Sequence, residues 1–163
     1  MRHLNPARRA ARGVTLIELM VGLAIAAILM MAAAPSFSEY ITNSRLRENG
    51  NLLYVQALLA QSEAIKRNTV VRLSTTGSTV QVTDRTDPDA PVLLFERTLT
   101  NGVTAADGTV DFGGEGRPLG FAAASIDLSM TGVTCSTATR CPGLRVDGGG
   151  AIRLCNDHTT ACL

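Results

Sequence analysis

Lysine is nearly missing from this 163-residue chain, which has Lys66 and no other. With one lysine, and 14 acids against 15 basic residues, the chain argues against a broad electrostatic grip on nucleic acid, although not against a local arginine cluster. Aromatic residues make up only 4% of the chain and none interleaves with the arginines, so there is no stacking platform for single-stranded bases. Histidine occurs twice, as His3 and His158. A serine nucleophile would need a histidine and a carboxylate in register, and no nucleophile elbow or similar motif is present. The run Gly148-Gly149-Gly150 lacks the Lys-Ser/Thr that completes a phosphate loop, so it reads as a turn. Asp84, Asp87 and Asp89 are spaced loosely like calcium ligands but lack the glycine and distal glutamate of such a loop. Neither a catalytic site, nor a metal site, nor a cofactor is expected, and no internal repeat is visible.

The length allows one modest domain plus one extra element. Charge is unevenly spread. Residues 1–13 hold Arg2, Arg8, Arg9 and Arg12 and no acid; without those four of the 15 basic residues, 11 remain against 14 acids, a net charge of −3. The four cysteines, Cys135, Cys141, Cys155 and Cys162, all fall near the C-terminus. An even number in one loop-rich stretch, behind an export-type N-terminus, reads as two disulfides formed in an oxidising compartment. A zinc site with His158 is the competing reading, but there is no CxxC pair and the spacings do not match common zinc modules.

From Val14 to Ala34 the only polar side chains are Thr15 and Glu18. A helix of that length spans roughly 30 Å, the hydrocarbon thickness of a bilayer. Arginines before the span and none within it favour a cytoplasmic N-terminus. Three fates are open to this segment. A secretory signal cut after Ala32-Ala33-Ala34 would leave Pro35 next to the cut, a poor context, and would not explain a glutamate in the apolar run. A plain signal anchor would leave Glu18 alone in the bilayer, at a cost of about 2.5–3.5 kcal/mol. Retention of the helix beside other helices would give that carboxylate a partner. A twin-arginine signal at Arg8-Arg9 lacks its flanking residues.

The stretch Gly13-Val14-Thr15-Leu16-Ile17-Glu18-Leu19-Met20 resembles the processing site of type IV pilins and type II secretion pseudopilins. The resemblance implies that prepilin peptidase cleaves between Gly13 and Val14 and that Val14 is then N-methylated. It also implies that Glu18 neutralises the terminal ammonium of a neighbouring subunit, because paired charges cost far less than lone ones in a low-dielectric bundle. Pro35 falls where family members carry a helix-bending proline. Val14 departs from the usual phenylalanine.

Beyond the membrane segment, Phe37, Tyr40 and Ile41, then Leu52, Val55, Leu58, Leu59, Ser62 and Ile65 recur at helical steps. Arg45, Arg47, Glu48, Gln56, Gln61, Glu63, Lys66 and Arg67 fill the other side. The spacing predicts a helix to about Asn68, loosened around Gly50 or hinged at Pro35 or Gly50. A hairpin is expected at 70–83 and a strand at 92–99, with short strands at 109–112, 120–122, 126–130, 144–146 and 151–154. The fold class is therefore α+β: a long N-terminal α-helix, transmembrane in its first half, packed on a small antiparallel β-sheet head. Its expected parts are a cleaved leader at 1–13, a transmembrane and filament-core helix at 14–35, an amphipathic continuation at 36–68, and a disulfide-bonded head at 69–163.

Two stretches are similar to the minor-pilin branch known as GspH/FimT, which includes FimU. One is the helix end, Leu59-Ala60-Gln61-Ser62-Glu63-Ala64-Ile65-Lys66-Arg67-Asn68; the other is the tail, Leu144 to Cys155. The resemblance implies a minor pilin of the inner membrane with a periplasmic head. Its partners would be major and minor pilins, prepilin peptidase and the assembly platform, and its place the priming or tip complex. A type II secretion pseudopilin is the alternative machine. In some FimT-type members a Gly-Arg-x-Arg motif on the final turn catches DNA; here it stands as Gly150-Ala151-Ile152-Arg153, without the first arginine. Arg140, Arg145 and Arg153, with Arg117 nearby, remain a candidate basic patch, with solvated surface arginines the favoured reading. A turn at Asp147–Gly150 sets Val146 opposite Ala151 and favours bridges Cys141–Cys155 and Cys135–Cys162. The sequential pairing, Cys135–Cys141 with Cys155–Cys162, needs only local loops, and the reading leans to it without excluding the other.

Overall fold

The structure is a computed structural model that describes residues 13–160 and 162. Residues 1–12 of the expected leader at 1–13 lie outside them, as do the side chains at 34 and 35, where a bending proline is expected. Helix α1 runs Leu16–Arg67, and seven strands follow: β1 Val71–Gly77, β2 Thr79–Asp84, β3 Val92–Thr98, β4 Val103–Phe112, β5 Ala124–Met130, β6 Gly143–Val146 and β7 Ile152–Cys155. The chain divides into two compact units, one ending at Ser38 and one beginning at Glu39.

In the second unit the strands form one antiparallel sheet in the order β3-β2-β1-β4-β5-β6-β7. Strand β4 joins its two halves: residues 108–112 pair with β1, whereas Val103–Ala105 pair with Leu128–Met130 of β5. The inner face alternates as a half-buried sheet should, with Val71, Leu73, Val80, Val82, Val110, Phe112, Ile126, Leu128, Leu144 and Val146 in the core. The first half of β4 was not legible from its residues, because Ala105-Ala106-Asp107-Gly108 has weak strand propensity. Tertiary contacts hold it instead. Gly108 leaves room for Ile126, whose Cγ1 lies 3.3 Å from where a Cβ would stand, and the Asp107 carboxylate accepts the Gly77 N–H at 3.0 Å. The strand expected at 120–122 is not one. Gly120 and Phe121 take φ values of +66° and +57° and form a short 3-10 turn over Leu119–Phe121, a backbone that no strand can use.

The helical face that meets this core differs from the expected one. Leu46, Asn49, Gly50, Leu53, Gln56, Ala57, Ala60 and Ala64 are buried, while Val55, Leu58 and Ile65 are 49%, 38% and 54% exposed. Hydrophobicity alone pointed to the bulky stripe; close approach to the sheet selects the small one. Gly50 shows the reason. A Cβ there would lie 3.0 Å from Cγ and 3.2 Å from Cβ of Pro142, so glycine brings the segment before β6 onto the helix without a break in α1. Asn49 is buried but fully used, accepting Thr100 N–H at 2.8 Å and donating to Arg45 O at 2.8 Å. The helix ends in a Schellman motif: Asn68 has φ +52°, its N–H donates to Ile65 O, and Thr69 N–H donates to Ala64 O.

Gln56 is the exception in this core, with Oε1 buried and without a hydrogen-bond partner. Replacement by leucine removes an unsatisfied acceptor, so Gln56→Leu is expected to stabilise the head by about 1–2 kcal/mol in urea denaturation. Gly50→Ala separates two effects. Helix propensity alone favours alanine by about 1 kcal/mol, whereas contact with the Pro142 ring reverses the sign, giving a net loss of about 1 kcal/mol or more. A stabilised Gly50→Ala protein would show that the Pro142 contact yields freely.

Candidate functional site

The first described residues build a helix start. Gly13, Val14 and Thr15 are non-helical, and α1 begins at Leu16. Glu18 N–H donates to Thr15 Oγ1 at 3.3 Å, and Thr15 N–H donates to Glu18 Oε2 at 3.4 Å. This is a capping box, Thr at the N-cap and Glu at the third helical residue, with the carboxylate at the positive end of the helix dipole. The spacing Thr-x-x-Glu carried that signal in the sequence, and it gives Glu18 a partner inside its own chain. The helix that follows is unlike any in a soluble core. Leu16–Ala33 is long and apolar enough to cross a membrane, and none of it is buried against the chain. Leu16 is 78% exposed and Met31 80%. A helix apolar on every side needs lipid or other helices around it.

The tail of the head is held by two bridges, Cys135–Cys141 and Cys155–Cys162, with Cα separations of 5.6 and 5.5 Å. The alternative pairing fails with the register it rested on. Val146 stands opposite Ile152 and Gly143 opposite Cys155, one residue off the expected alignment. The connection needs the extra residue because Asp147 organises it: its N–H donates to Ala151 O, and its carboxylate accepts Gly149 and Ala151 N–H at 3.0 and 2.9 Å. Gly150, at φ +91°, sits so close to Gly116 that a Cβ would lie 2.6 Å from the Gly116 oxygen. Gln61 of the helix clamps both loops, donating to Gly116 O and Gly150 O at 2.6 and 2.7 Å. His158 fastens the tail: its backbone N–H and ring Nδ1 both approach Cys141 O, at 2.8 and 3.0 Å.

The candidate DNA-contacting arginines are not brought together as one free patch. Arg145 and Arg153 stand opposite each other on β6 and β7, but Arg145 holds Asp127 at 2.6 Å and Arg153 holds Asp147 at 3.6 Å. Arg117 is paired with Glu115 and lies over the Phe121 ring at 4.8 Å. Arg140 is elsewhere, lining a cleft with Arg47 of the helix, a residue that the sequence placed only on a polar face. Asp84 is occupied by Arg67 and Thr86, and Asp87 accepts Asp89 N–H. Among the described residues no cluster of His, Cys, Asp and Glu could hold a metal ion.

Comparison with known families gives two matches. Residues 8–34 match the prokaryotic N-terminal methylation motif, and residues 49–159 match the family described as type II transport protein GspH. Comparison with curated proteins gives no match. Among solved structures, two crystal forms of the type IV minor pilin FimU of Pseudomonas aeruginosa share the fold. One is 15% identical, with a TM-score of 0.59, covering 72% of this chain and 92% of that one. The other is 16% identical, with a TM-score of 0.53, covering 71% and 95%.

Acid sensitivity follows from the tail. Asp157 is buried, and hydrogen bonds from Thr159 N–H and Oγ1, at 3.0 and 2.7 Å, and from Thr160 hold its pKa below the usual carboxylate value. A lowered pKa stabilises the fold above the unfolded value of about 3.9, and that contribution is lost as pH falls through the lowered folded value. Melting temperature measured from pH 7 to pH 2 should therefore fall at the acid end, and Asp157→Asn should flatten that part of the curve. An unchanged curve would show that Asp157 does not anchor the tail.

Proposed function

We propose, from the premise that this chain belongs to the GspH family and carries the N-terminal methylation motif of pilins, that it is a minor pilin acting in type IV pilus biogenesis. The observation that carries this reading is the first stretch of α1, Leu16–Ala33, which opens two residues after Val14, holds Glu18 as its one acid, and has no covering from its own chain. Prepilin peptidase cleaves between Gly13 and Val14, and Val14 is methylated. The apolar helix is thereby retained, anchoring the protein in the inner membrane with its head in the periplasm, where the two bridges form. From there the helix moves sideways into a bundle of other pilin helices at the assembly platform. Exchange of lipid for helices costs little for an all-round apolar surface, so entry depends on close packing and on the charges at the helix start.

Assignment to the pilus draws on the likeness of the head to FimU, a type IV minor pilin, and the priming or tip complex is the place the minor-pilin resemblance implies; a type II secretion pseudopilin would obey the same physics. The role is structural, with other major and minor pilins as partners. DNA capture is not favoured, since a phosphate on Arg145 or Arg153 would have to displace a carboxylate already in place.

Glu18 has two separable duties here. Within the chain it caps the helix, which is worth about 0.5–2 kcal/mol; between chains it neutralises a neighbour's terminal ammonium. Glu18→Gln keeps an acceptor for the Thr15 N–H and loses the charge, whereas Glu18→Ala loses both. Both variants should be inserted and processed, giving an intact mass with methylated Val14 as first residue. Both should be depleted from sheared filaments about tenfold or more, as expected for about 1.4 kcal/mol or more lost per contact. Normal incorporation of Glu18→Gln would show that the cap, not the charge, is what assembly requires. A mature chain beginning at Pro35 would sink the reading altogether.

A further inference from the structure

The cleft that holds Arg47 and Arg140 has no function so far. It measures about 250 Å3 and is lined by Asn43, Arg47, Arg140, Pro142, Leu154 and Asn156, among others, none of them acidic. Among the described residues Arg47 and Arg140 take part in no ion pair, nor do Arg45, Arg85 and Arg97, which do not line the cleft, whereas Arg67, Arg72, Arg117, Arg145 and Arg153 each hold a carboxylate. The site is also firmly built. Asn43 and Arg47 are one helical turn apart, on the same face. Asn43 spends both ends of its amide on the loop that carries Arg140, donating to Ala138 O at 2.8 Å and accepting Arg140 N–H at 2.9 Å. The Cys135–Cys141 bridge and a hydrogen bond from Thr139 N–H to Ser136 Oγ close that loop, and Pro142 is seated against Gly50 beneath it. Two arginines thus line one cleft whose walls are held in place, and neither takes part in an ion pair.

We infer that this cleft is an anion-accepting contact for a carboxylate-bearing loop of an adjoining pilin subunit, a contact between heads that depends on the filament reading above. Charge across the head supports that occupant. At the opposite end of the second unit's helix Arg67 holds Asp84 of β2, and the loop beyond carries Arg85 with Asp87 and Asp89, two carboxylates in no ion pair among the described residues. Asn43 and Arg67 lie about 36 Å apart along a helix of 1.5 Å rise. One head therefore offers two unpaired arginines at one end and the unpaired carboxylates of Asp87 and Asp89 at the other, the arrangement that suits head-to-tail stacking of pilin-like subunits. A nucleic acid strand is the poorer fit: the chain without its leader arginines has a net charge of −3 and one lysine, so a polyanion meets a repelling field beyond the cleft, whereas a single carboxylate meets only the two arginines.

The test is the paired variant Arg47→Ser with Arg140→Ser in the full-length protein, expressed in cells that assemble the filament. Intact mass reports processing and both bridges, and the ratio of protein in sheared filaments to protein in the membrane reports assembly. The expected result is normal processing and oxidation with the filament fraction lowered at least threefold, and a deeper loss for Arg47→Asp with Arg140→Asp. The pair Arg145→Ser with Arg153→Ser should assemble like the unaltered protein. Wild-type incorporation of the Arg47 and Arg140 variant overturns the cleft while leaving the filament reading intact; failure of the unaltered chain to enter filaments removes both. A gel shift of the detergent-solubilised full chain with duplex DNA at low and high salt completes the test. A salt-sensitive shift lost only in the Arg47 and Arg140 variant, with assembly undisturbed, would overturn the proposal by making phosphate the occupant.

Discussion

Close approach of the helix to the sheet is the constraint on which the head depends. Ala57, Ala60 and Ala64 and the bare backbone of Gly50 let the strands and the Pro142 segment come down onto α1, and the buried valines and leucines of the sheet then fill the space. Bulkier residues on that face would hold the layers apart and leave voids that cost more than their extra apolar area returns. The same geometry sets the polar connections. Asn49 reaches the loop between β3 and β4, and Gln61 reaches two loops at once, because the helix backbone lies near enough for single side chains to span the gap.

That economy leaves larger apolar side chains, Val55, Leu58 and Ile65, on the outside of the second unit's helix, while the first unit exposes nearly everything it has. Neither surface suits a protein that works as an isolated soluble monomer. Family membership supplies the reason: a chain built to be surrounded by other copies of the same architecture can leave apolar surface for its neighbours to cover. Its few charges then become decisive. Glu18 is tied into the helix cap, Arg72 and Arg145 on the sheet are matched with carboxylates, and Arg47 and Arg140, which line one cleft without a carboxylate, concentrate attention on where another subunit makes contact.

The tail contributes order rather than chemistry. Its two bridges close short loops, each worth about 2–3 kcal/mol on the loop-entropy scale, and they stiffen a stretch with little apolar content. His158 and Asp157 add hydrogen bonds of the same kind. A histidine and a carboxylate adjacent in sequence invite a catalytic interpretation; their actual partners, a backbone carbonyl and two threonines, show them fastening the loop that ends at Cys162.

The residues alone determined the membrane-length helix, its acid, the processing motif, the α+β class and most strands, because each is a local pattern: an apolar run, a short contiguous motif, an alternation bounded by glycine. The expected helix face was wrong because hydrophobicity records how much a side chain gains by burial but not how closely two layers must approach. Tertiary structure also decided the first half of β4, where pairing overrides weak propensity, the turn at Leu119–Phe121, and the one-residue shift that Asp147 imposes on the last hairpin. The meeting of Arg47 with Arg140 belongs to the same class: residues far apart in sequence become one surface only when an asparagine and a disulfide loop fold them together, and no spacing along the chain encodes that distance.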